Sequence, residues 1–257
     1  MKVVSPLIQT KLCLPIIRSE LVPRPQLQNQ IVQGLHGPLT LITAPAGFGK
    51  TTLAASSIVD CGLPTAWLSL DKVDNREGRF LNYLIAALQK AAPEIGIEIA
   101  QLMMASHQVP PELILTSLVN DLDTAAGELV LILDDYHFIS SQDVHSAVIF
   151  LLEHCPQTFH LVIISRSDPP LPIVRLRARG QMVELRAADL SFNESEVAQF
   201  LNDVMKLSLD AKSIGVLEER TEGWIAGLQM AALSMRNRKD ISGFINGFSG
   251  TNRYILD

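Results

Sequence analysis

The sequence lacks the features that mark several classes of protein. Its apolar runs, such as residues 147–152, are far shorter than the ~18 residues of a transmembrane helix, and its first residues have no signal-peptide core. Its three cysteines follow no paired pattern, and its six histidines show no metal-ligand spacing. These absences predict a cytoplasmic protein with no membrane association, no disulfides and no side-chain zinc site.

An excess of positive charge is also missing. The 257 residues carry 21 Lys and Arg against 27 Asp and Glu, a net charge of −6. Affinity for nucleic acid depends largely on clustered cations that neutralise phosphates, so nucleic-acid binding is not expected of this chain. The hydrophobic fraction is 47%, which is typical of a globular protein with a substantial core.

The most specific motif is a glycine loop, residues 44–51 (APAGFGKT), here called the phosphate loop. It matches G-x-x-x-x-G-K-[ST] except that Ala44 replaces the first Gly, which could narrow the backbone freedom of the loop. An apolar run precedes the loop and a helical pattern follows it. Backbone N–H groups at such a helix start surround phosphate oxygens. We therefore predict that Lys50 reaches the β- and γ-phosphates and that Thr51 ligates Mg²⁺.

Two further apolar runs end in charged residues. Residues 129–133 are followed by Asp134 and Asp135, and residues 159–164 lead to Arg166. We expect Asp134 on a strand that neighbours the loop strand, where it can hold Mg²⁺ through its water shell. Asp135 would orient or deprotonate the attacking water. Ligands of open α/β sheets bind at the carboxyl ends of the strands, so Arg166 would sense the γ-phosphate.

Alternating strand and helix patterns predict an α/β fold, followed by a region of helices alone. The predicted strands are 38–43, 65–70, 129–133, 159–164 and 182–185, and the predicted helices are 79–90, 144–154, 193–201, 210–220 and 224–235. The fold class is a P-loop NTPase three-layer sandwich with a parallel sheet and a small all-helical domain. The domains are an N-terminal adenine-side segment (1–36), a nucleotide-binding domain (37–186), a helical lid (187–240) and the start of a further domain (241–257). Residues 252–257 look like the first turn of another helix.

Two segments are candidates for contacts with parts of a ligand other than its phosphates. Residues 21–25 (LVPRP) could cover a base, or they could form a proline-stiffened linker. Trp224 is one of two tryptophans, and its periodicity is more typical of a helical core than of a ligand contact.

Seven motifs in order resemble one known family. They are Lys11-Leu12 with Pro15, VPRP at 22–25, the loop through Thr52, WLSLD at 67–71, LDDYH at 133–137, SRSDPP at 165–170 and EGWIAGLQ at 222–229. The chain resembles the nucleotide-binding module of MalT-like, LuxR-family ATP-dependent transcriptional regulators, which belong to the STAND class of P-loop NTPases.

The resemblance implies a switch in signal transduction. With ADP the module is closed and monomeric, inducer and ATP open it and drive self-association, and slow hydrolysis resets it. It assigns Val22 and Arg24 to the adenine, Asp134 and Asp135 to magnesium and water, and Arg166 to the sensor. Nucleotide contacts also fall on Ala46, Gly47, Phe48, Gly49, Lys50, Thr51, Thr52 and Trp224. Many relatives carry Pro where this sequence has Ile225.

Two alternatives to a slow regulatory ATPase stay open. The chain could be a metabolic P-loop enzyme such as a small-molecule kinase, or a nucleotide-binding module that never hydrolyses ATP. The resemblance further implies that DNA is bound only through a domain absent from this sequence, so that the chain is expected to be a piece of a longer regulator.

Overall fold

The computed structural model describes residues 7–17, 20–105, 109–125, 127–236, 238 and 240–248. The strands are β1 (Leu39–Thr43), β2 (Thr65–Ser69), β3 (Leu129–Asp134), β4 (Phe159–Ser165) and β5 (Met182–Leu185). The helices are α1 (Pro25–Gly34), α2 (Lys50–Cys61), α3 (Glu77–Ala91), α4 (Ile97–Ala105), α5 (Pro111–Thr124), α6 (Gln142–His154), α7 (Ile173–Ala178), α8 (Ala187–Leu190), α9 (Glu194–Ala198), α10 (Ala211–Thr221), α11 (Ile225–Met235) and α12 (Ile241–Gly247). Short 3₁₀ turns lie at Gln9–Leu12, Lys72–Asn75 and Tyr136–Phe138.

The strands form one parallel sheet in the order β2-β3-β4-β1-β5. Side chains alternate between its two faces, as the pleat of a strand requires. Leu39, Leu131 and Leu161 lie in the core on one face, whereas Ile42 and Ile132 lie in the core on the other. Because helices cover both faces, the strands are apolar along nearly their whole length. The predicted α/β sandwich with a parallel sheet is confirmed.

One expectation about the sheet is wrong. The strand of Asp134 does not neighbour the loop strand, because β4 lies between β3 and β1. The next strand after the loop, β2, pairs with β3 at the far edge of the sheet. Apolar runs that are buried on both faces resemble one another, so their composition reveals burial but not the pairing partner.

Six helices, α1, α4, α5, α7, α8 and α12, were not predicted from the sequence. Helix α1 begins at Pro25, the last residue of the segment 21–25, and proline is well suited to the first position of a helix. Helices α4 and α5 fill the connection between α3 and β3. Their apolar residues are interrupted by the prolines at 110 and 111, so the pattern over residues 97–124 does not show a single helical period.

The helices after β5 build a third core, and the described residues from 187 to 248 are called the helical region. A capping pair begins α9, because the Asn193 side chain accepts from the Glu196 N–H at 3.0 Å and the Glu196 carboxylate accepts from the Asn193 N–H at 3.0 Å. Helix α9 then continues into a π-helical segment, Gln199–Val204. Val22 from the N-terminal part of the chain joins this core.

The domain boundaries stay a prediction. Helix α12, which follows the expected boundary at residue 240, contacts α10 and contributes Ile245 to the third core. The expected helical turn at 252–257 lies outside the described residues. Within the described ranges, no helix combines the length and the apolar character needed to cross a membrane.

Candidate functional site

The phosphate loop connects β1 to α2 at the carboxyl edge of the sheet. Gly47 and Gly49 have φ angles of 82° and 73°, in the left-handed region that glycine adopts most readily. Ala44 is not among the residues with positive φ, and its side chain is buried in the sheet core. Alanine in place of the first motif glycine therefore leaves the backbone of the loop unstrained.

Lys50 is the first residue of α2 and is 9% exposed. Its Nζ donates to the Pro45 carbonyl at 2.8 Å. Burial and the nearby Arg166 lower the pKa of Lys50, while Asp135 and Asp134 oppose that change. Lys50 lies in a cavity of about 170 Å³. The other residues lining this cavity are Ala46, Gly47, Gly49, Thr51, Thr52, Asp135 and Arg166.

The Thr51 hydroxyl and the Asp134 carboxylate meet at the inner end of the site. Thr51 Oγ1 lies 3.1 Å from both carboxylate oxygens. Burial and the adjacent charge of Asp135 raise the pKa of Asp134 to about 6. A hydroxyl and a carboxylate at this distance are oxygen ligands of the kind that Mg²⁺ prefers. The pair thus fits the predicted magnesium position, although Asp134 reaches it from a strand two places away.

Asp135 and Arg166 complete the outer side of the cavity. Asp135 has a φ of 57°, and its N–H donates to Asp134 Oδ1 at 2.9 Å. Arg166 follows the end of β4 and is exposed. The structure therefore brings the predicted residues Lys50, Thr51, Asp134, Asp135 and Arg166 to one place at the strand ends.

A second cavity of about 410 Å³ adjoins the first. Both are lined by Gly47, Gly49, Thr51 and Thr52, so the two cavities share the phosphate loop as a common wall. The rest of the larger cavity is mostly apolar. It includes residues 15–17 and 21–24 of the N-terminal part, Phe48, Leu53, Leu190, Phe192, Phe200, Met205, Ile225 and Ala226. Val22 and Arg24 thus line the same cavity as the loop, and their assignment to the adenine stays a prediction.

The Arg24 guanidinium is held mainly by the helical region. It donates to both carboxylate oxygens of Glu196, at 2.8 and 3.1 Å, and to the carbonyls of Leu190 and Ser191, at 2.7 and 3.0 Å. Its carbon lies 5.2 Å from the centre of the Phe192 ring. These partners could not be predicted from the sequence, because they lie more than 160 residues away in the chain.

Trp224 contacts the loop backbone. Its indole Nε1 donates to the Ala46 carbonyl at 2.9 Å, and the Ala226 N–H donates to the Gly47 carbonyl at 3.0 Å. A Cβ atom on Gly47 would lie 2.5 Å from Ala226 Cβ and 2.7 Å from Trp224 Nε1, so no larger residue fits there. Ile225 and Ala226 line the 410 Å³ cavity, whereas Trp224 does not.

Several residues of the site were missed from the sequence. Leu190, Phe192, Phe200 and Gln229 line the larger cavity, but the sequence analysis assigned none of them to a ligand contact. Phe192 belongs to the third core and Phe200 packs against it, so their apolar character indicates burial and does not reveal a cavity wall. Only the closeness of the helical region to the loop reveals them.

The sequence of the chain is similar to sequences of known transcriptional regulators. No protein-family model matches the chain. The HTH-type transcriptional regulators MalT of Yersinia pestis (strain Pestoides F) and of Yersinia enterocolitica are each 36% identical to it over 230 residues. That alignment covers 90% of this chain and 25% of the relatives, so the chain spans about a quarter of their length.

Solved structures share the fold. A STAND protein with a tetratricopeptide repeat sensor from Pyrococcus horikoshii aligns with a TM-score of 0.60 and 15% identity, over 91% of this chain and 33% of that one. A Walker-type ATPase of Pyrococcus abyssi aligns with a TM-score of 0.57 and 15% identity, over 90% of this chain and 72% of that one. At this identity, the likeness shows that the fold is shared.

Proposed function

This chain is a MalT-like P-loop NTPase module, and from that premise we propose that it binds ATP and ADP and acts as a nucleotide-dependent switch. The observation that carries the proposal is the common wall of the two cavities. The smaller one offers loop amides, Lys50 and Arg166 to phosphates. The larger one offers mostly apolar surface of a size suited to a base and a sugar.

The residues of the site would contact different parts of the nucleotide and its metal ion. Lys50 would leave the Pro45 carbonyl and donate to the phosphate oxygens, while Arg166 meets the outermost phosphate. Thr51 and Asp134 would hold Mg²⁺, which when bound offsets the negative charge of the phosphates. Asp135 lines the same cavity as Lys50 and would accept a proton from water. Val22 and the other apolar residues would exclude water from the base.

The proposal extends to the longer protein. We assign ATP-driven opening and self-association, slow hydrolysis as the reset, and regulation of transcription to the whole regulator, with DNA bound by a part outside this sequence. A cytoplasmic location agrees with such a role. Support comes from the similarity to MalT and from the hydrogen bonds by which the helical region holds the phosphate loop.

Titration calorimetry of the purified chain tests the proposal. ADP and ATP are expected to bind at one site per chain in the presence of Mg²⁺, and ATP should bind more weakly when Mg²⁺ is removed by chelation. Absence of binding at millimolar nucleotide would contradict the proposed function. Phosphate that appears on a metabolite, rather than in solution, would favour the small-molecule kinase instead.

Trp224→Phe tests whether the helical region shapes the nucleotide site. The variant keeps most of the buried ring but removes the N–H that satisfies the Ala46 carbonyl. The loss of one hydrogen bond costs about 0.5–1.5 kcal/mol, so we expect a lower free energy of unfolding and a lower affinity for ADP. Denaturant titration and calorimetry measure the two effects.

Trp67→Phe is the matched control. Trp67 is equally buried, at 2% exposed, and its Nε1 also makes one hydrogen bond, to Ser69 Oγ at 3.0 Å. We expect a similar loss of stability in this variant and an unchanged affinity for ADP. Equal changes of affinity in both variants would show that the effect comes from general destabilisation.

A further inference from the structure

A short segment of chain, residues 191–193, joins two of the hydrophobic cores. Leu190, the last residue of α8, is buried in a core on one face of the sheet. Val197 in α9 is buried in the third core. Between the two helices, Ser191 and Asn193 have extended backbone, with ψ angles of 139° and 170°. A short connection of this kind between two packed bodies is a usual place for a hinge.

The guanidinium of Arg24 spans this connection. At its start, the guanidinium donates to the carbonyls of Leu190 and Ser191, at 2.7 and 3.0 Å. Beyond it, the same group donates to both carboxylate oxygens of Glu196 in α9, at 2.8 and 3.1 Å. A further bond reaches the Asp189 carbonyl at 3.1 Å, so all three guanidinium nitrogens have partners. Rotation of α9 against α8 would break the bonds on one side.

The pair of Arg24 and Glu196 is largely withdrawn from water. The two side chains are 11% and 17% exposed. Two parallel N–H donors facing one carboxylate fix orientation as well as distance, which a lysine could not do. The loss of either partner leaves a poorly solvated charge unpaired, which is costly. The bonds therefore favour one angle between α8 and α9 over others.

The chain around Arg24 itself joins the same two cores. Val22, two residues earlier, is buried in the third core. Pro25 begins α1, whose Leu27 and Ile31 are buried in the core of the sheet that also holds α8. Arg24 thus connects two crossings between the cores, its own and residues 191–193.

The same hydrogen bonds bear on the predicted contact between Arg24 and an adenine base. Arg24 lines the 410 Å³ cavity, but its nitrogens are directed to Glu196 and to backbone carbonyls. Glu196 lines neither that cavity nor the phosphate cavity. The best-defined partner of the guanidinium therefore lies outside the nucleotide site.

We propose that Arg24 locks the hinge at residues 191–193 and so holds the helical region closed against the phosphate loop, in place of the predicted contact with adenine. This inference rests on the proposed function, since it names a residue that sets the opening equilibrium of that switch. Arg24 acts as a positioning residue through Glu196. Opening of the module breaks the pair.

One backbone amide reports opening in the absence of any nucleotide. The Ala226 N–H lies in the first turn of α11, where amides have no acceptor within the helix, and it donates to the Gly47 carbonyl at 3.0 Å. Its hydrogen exchange therefore requires the helical region to leave the loop. Exchange of a single amide, followed by NMR, measures the free energy of that local opening.

The test compares Arg24→Met with Glu196→Gln in the full chain. Arg24→Met keeps the length of the stem and removes every donor, so we expect the Ala226 N–H to exchange roughly 10-fold faster or more. Glu196→Gln keeps an oxygen to cap α9 but loses the charge, and roughly 3-fold faster exchange is expected. The double variant should exchange no faster than Arg24→Met alone, because the two residues act as a unit.

Two measurements separate opening from general destabilisation. The Leu161 N–H, which donates to the Pro38 carbonyl within the sheet, should exchange at the wild-type rate in both variants. Arg79→Met is the matched control variant. Arg79 Nε also donates to a carboxylate, Asp74 Oδ1 at 3.1 Å, but far from the helical region in the chain and within the turn before α3. It should leave the Ala226 N–H unchanged.

Several results would overturn the lock. They are an unchanged Ala226 N–H in Arg24→Met, equal acceleration at Leu161, an additive double variant, or a response to Arg24→Met that Glu196→Gln does not share. The last result would favour a direct contact between Arg24 and the base. If Arg24→Met does not melt cooperatively, Arg24→Lys replaces it, since it keeps the charge and loses the fork, and about 3-fold faster exchange is expected.

The addition of ADP separates this inference from the proposed function. Saturating ADP with Mg²⁺ should slow exchange of the Ala226 N–H in the wild type and in both variants, because a ligand bound between the loop and the helical region opposes opening. ADP that binds without slowing this exchange would overturn the link between the lock and the switch. Failure of the wild type to bind any nucleotide would contradict the proposed function, whereas the ligand-free exchange rates would still decide whether Arg24 locks the hinge.

Discussion

Lys50→Ala is expected to lower the affinity of the chain for ADP and ATP by at least about 100-fold, because hydrogen bonds between charged partners are each worth ~1.5–3 kcal/mol. Lys50 is the ammonium group inside the phosphate cavity, and it has only to move from the Pro45 carbonyl, 2.8 Å away. Its lowered pKa shows that the fold holds this charge at a cost of desolvation. Bound phosphates would add further negative charge beside the ammonium group.

Lys72→Ala serves as the control for Lys50→Ala. Lys72 is exposed and lines neither the phosphate cavity nor the larger one. Its loss changes the net charge by the same amount, so any general effect of charge on nucleotide affinity appears in both variants. Calorimetry at one ionic strength measures them together. Retention of full affinity in Lys50→Ala would exclude the phosphate loop as the binding site.

Gly223→Ala is expected to reduce the free energy of unfolding by ~3 kcal/mol or more, since it combines left-handed backbone strain with a steric clash. The φ of Gly223 is 69°, and an added Cβ would lie 2.2 Å from the Phe192 carbonyl oxygen and 2.7 Å from its nitrogen. These are backbone atoms, which cannot turn aside as a side chain can. The Phe192 N–H also donates to the Gly223 carbonyl at 2.9 Å.

Gly62→Ala separates strain from the clash. Gly62 has nearly the same φ, 68°, and an added Cβ there meets no atom within 4 Å. We expect this variant to lose only ~1 kcal/mol, the cost of the left-handed conformation itself. Denaturant titration of both variants gives the difference. Equal losses would show that the contact between Gly223 and Phe192 does not restrict the residue.

The local patterns of the sequence were sufficient for the strands and for the phosphate loop. Runs such as 129–133 are long, apolar and bounded by charged residues, so their burial in a parallel sheet could be predicted. The glycine positions 47 and 49 follow from the backbone that a phosphate cradle needs. The order of the strands could not be predicted, because apolar composition does not reveal pairing partners. In the structure, Asp134 reaches Thr51 from a strand that is not adjacent to β1.

Contacts between distant parts of the chain account for what the sequence did not reveal. The hydrogen bonds from Arg24 to Glu196 and from Trp224 to Ala46 join residues 172 and 178 positions apart. No periodicity within either segment depends on such a contact.

The two hydrogen bonds from Trp224 and Ala226 to the loop have a thermodynamic consequence. They couple the conformation of the loop to the position of the helical region, because neither can change while both hydrogen bonds are kept. Linkage is reciprocal. If separation of the helical region from the loop lowers the affinity for a phosphate ligand by some factor, binding of that ligand lowers the equilibrium constant for separation by the same factor. The affinity for the ligand and the equilibrium constant for opening of the module therefore report the same coupling free energy.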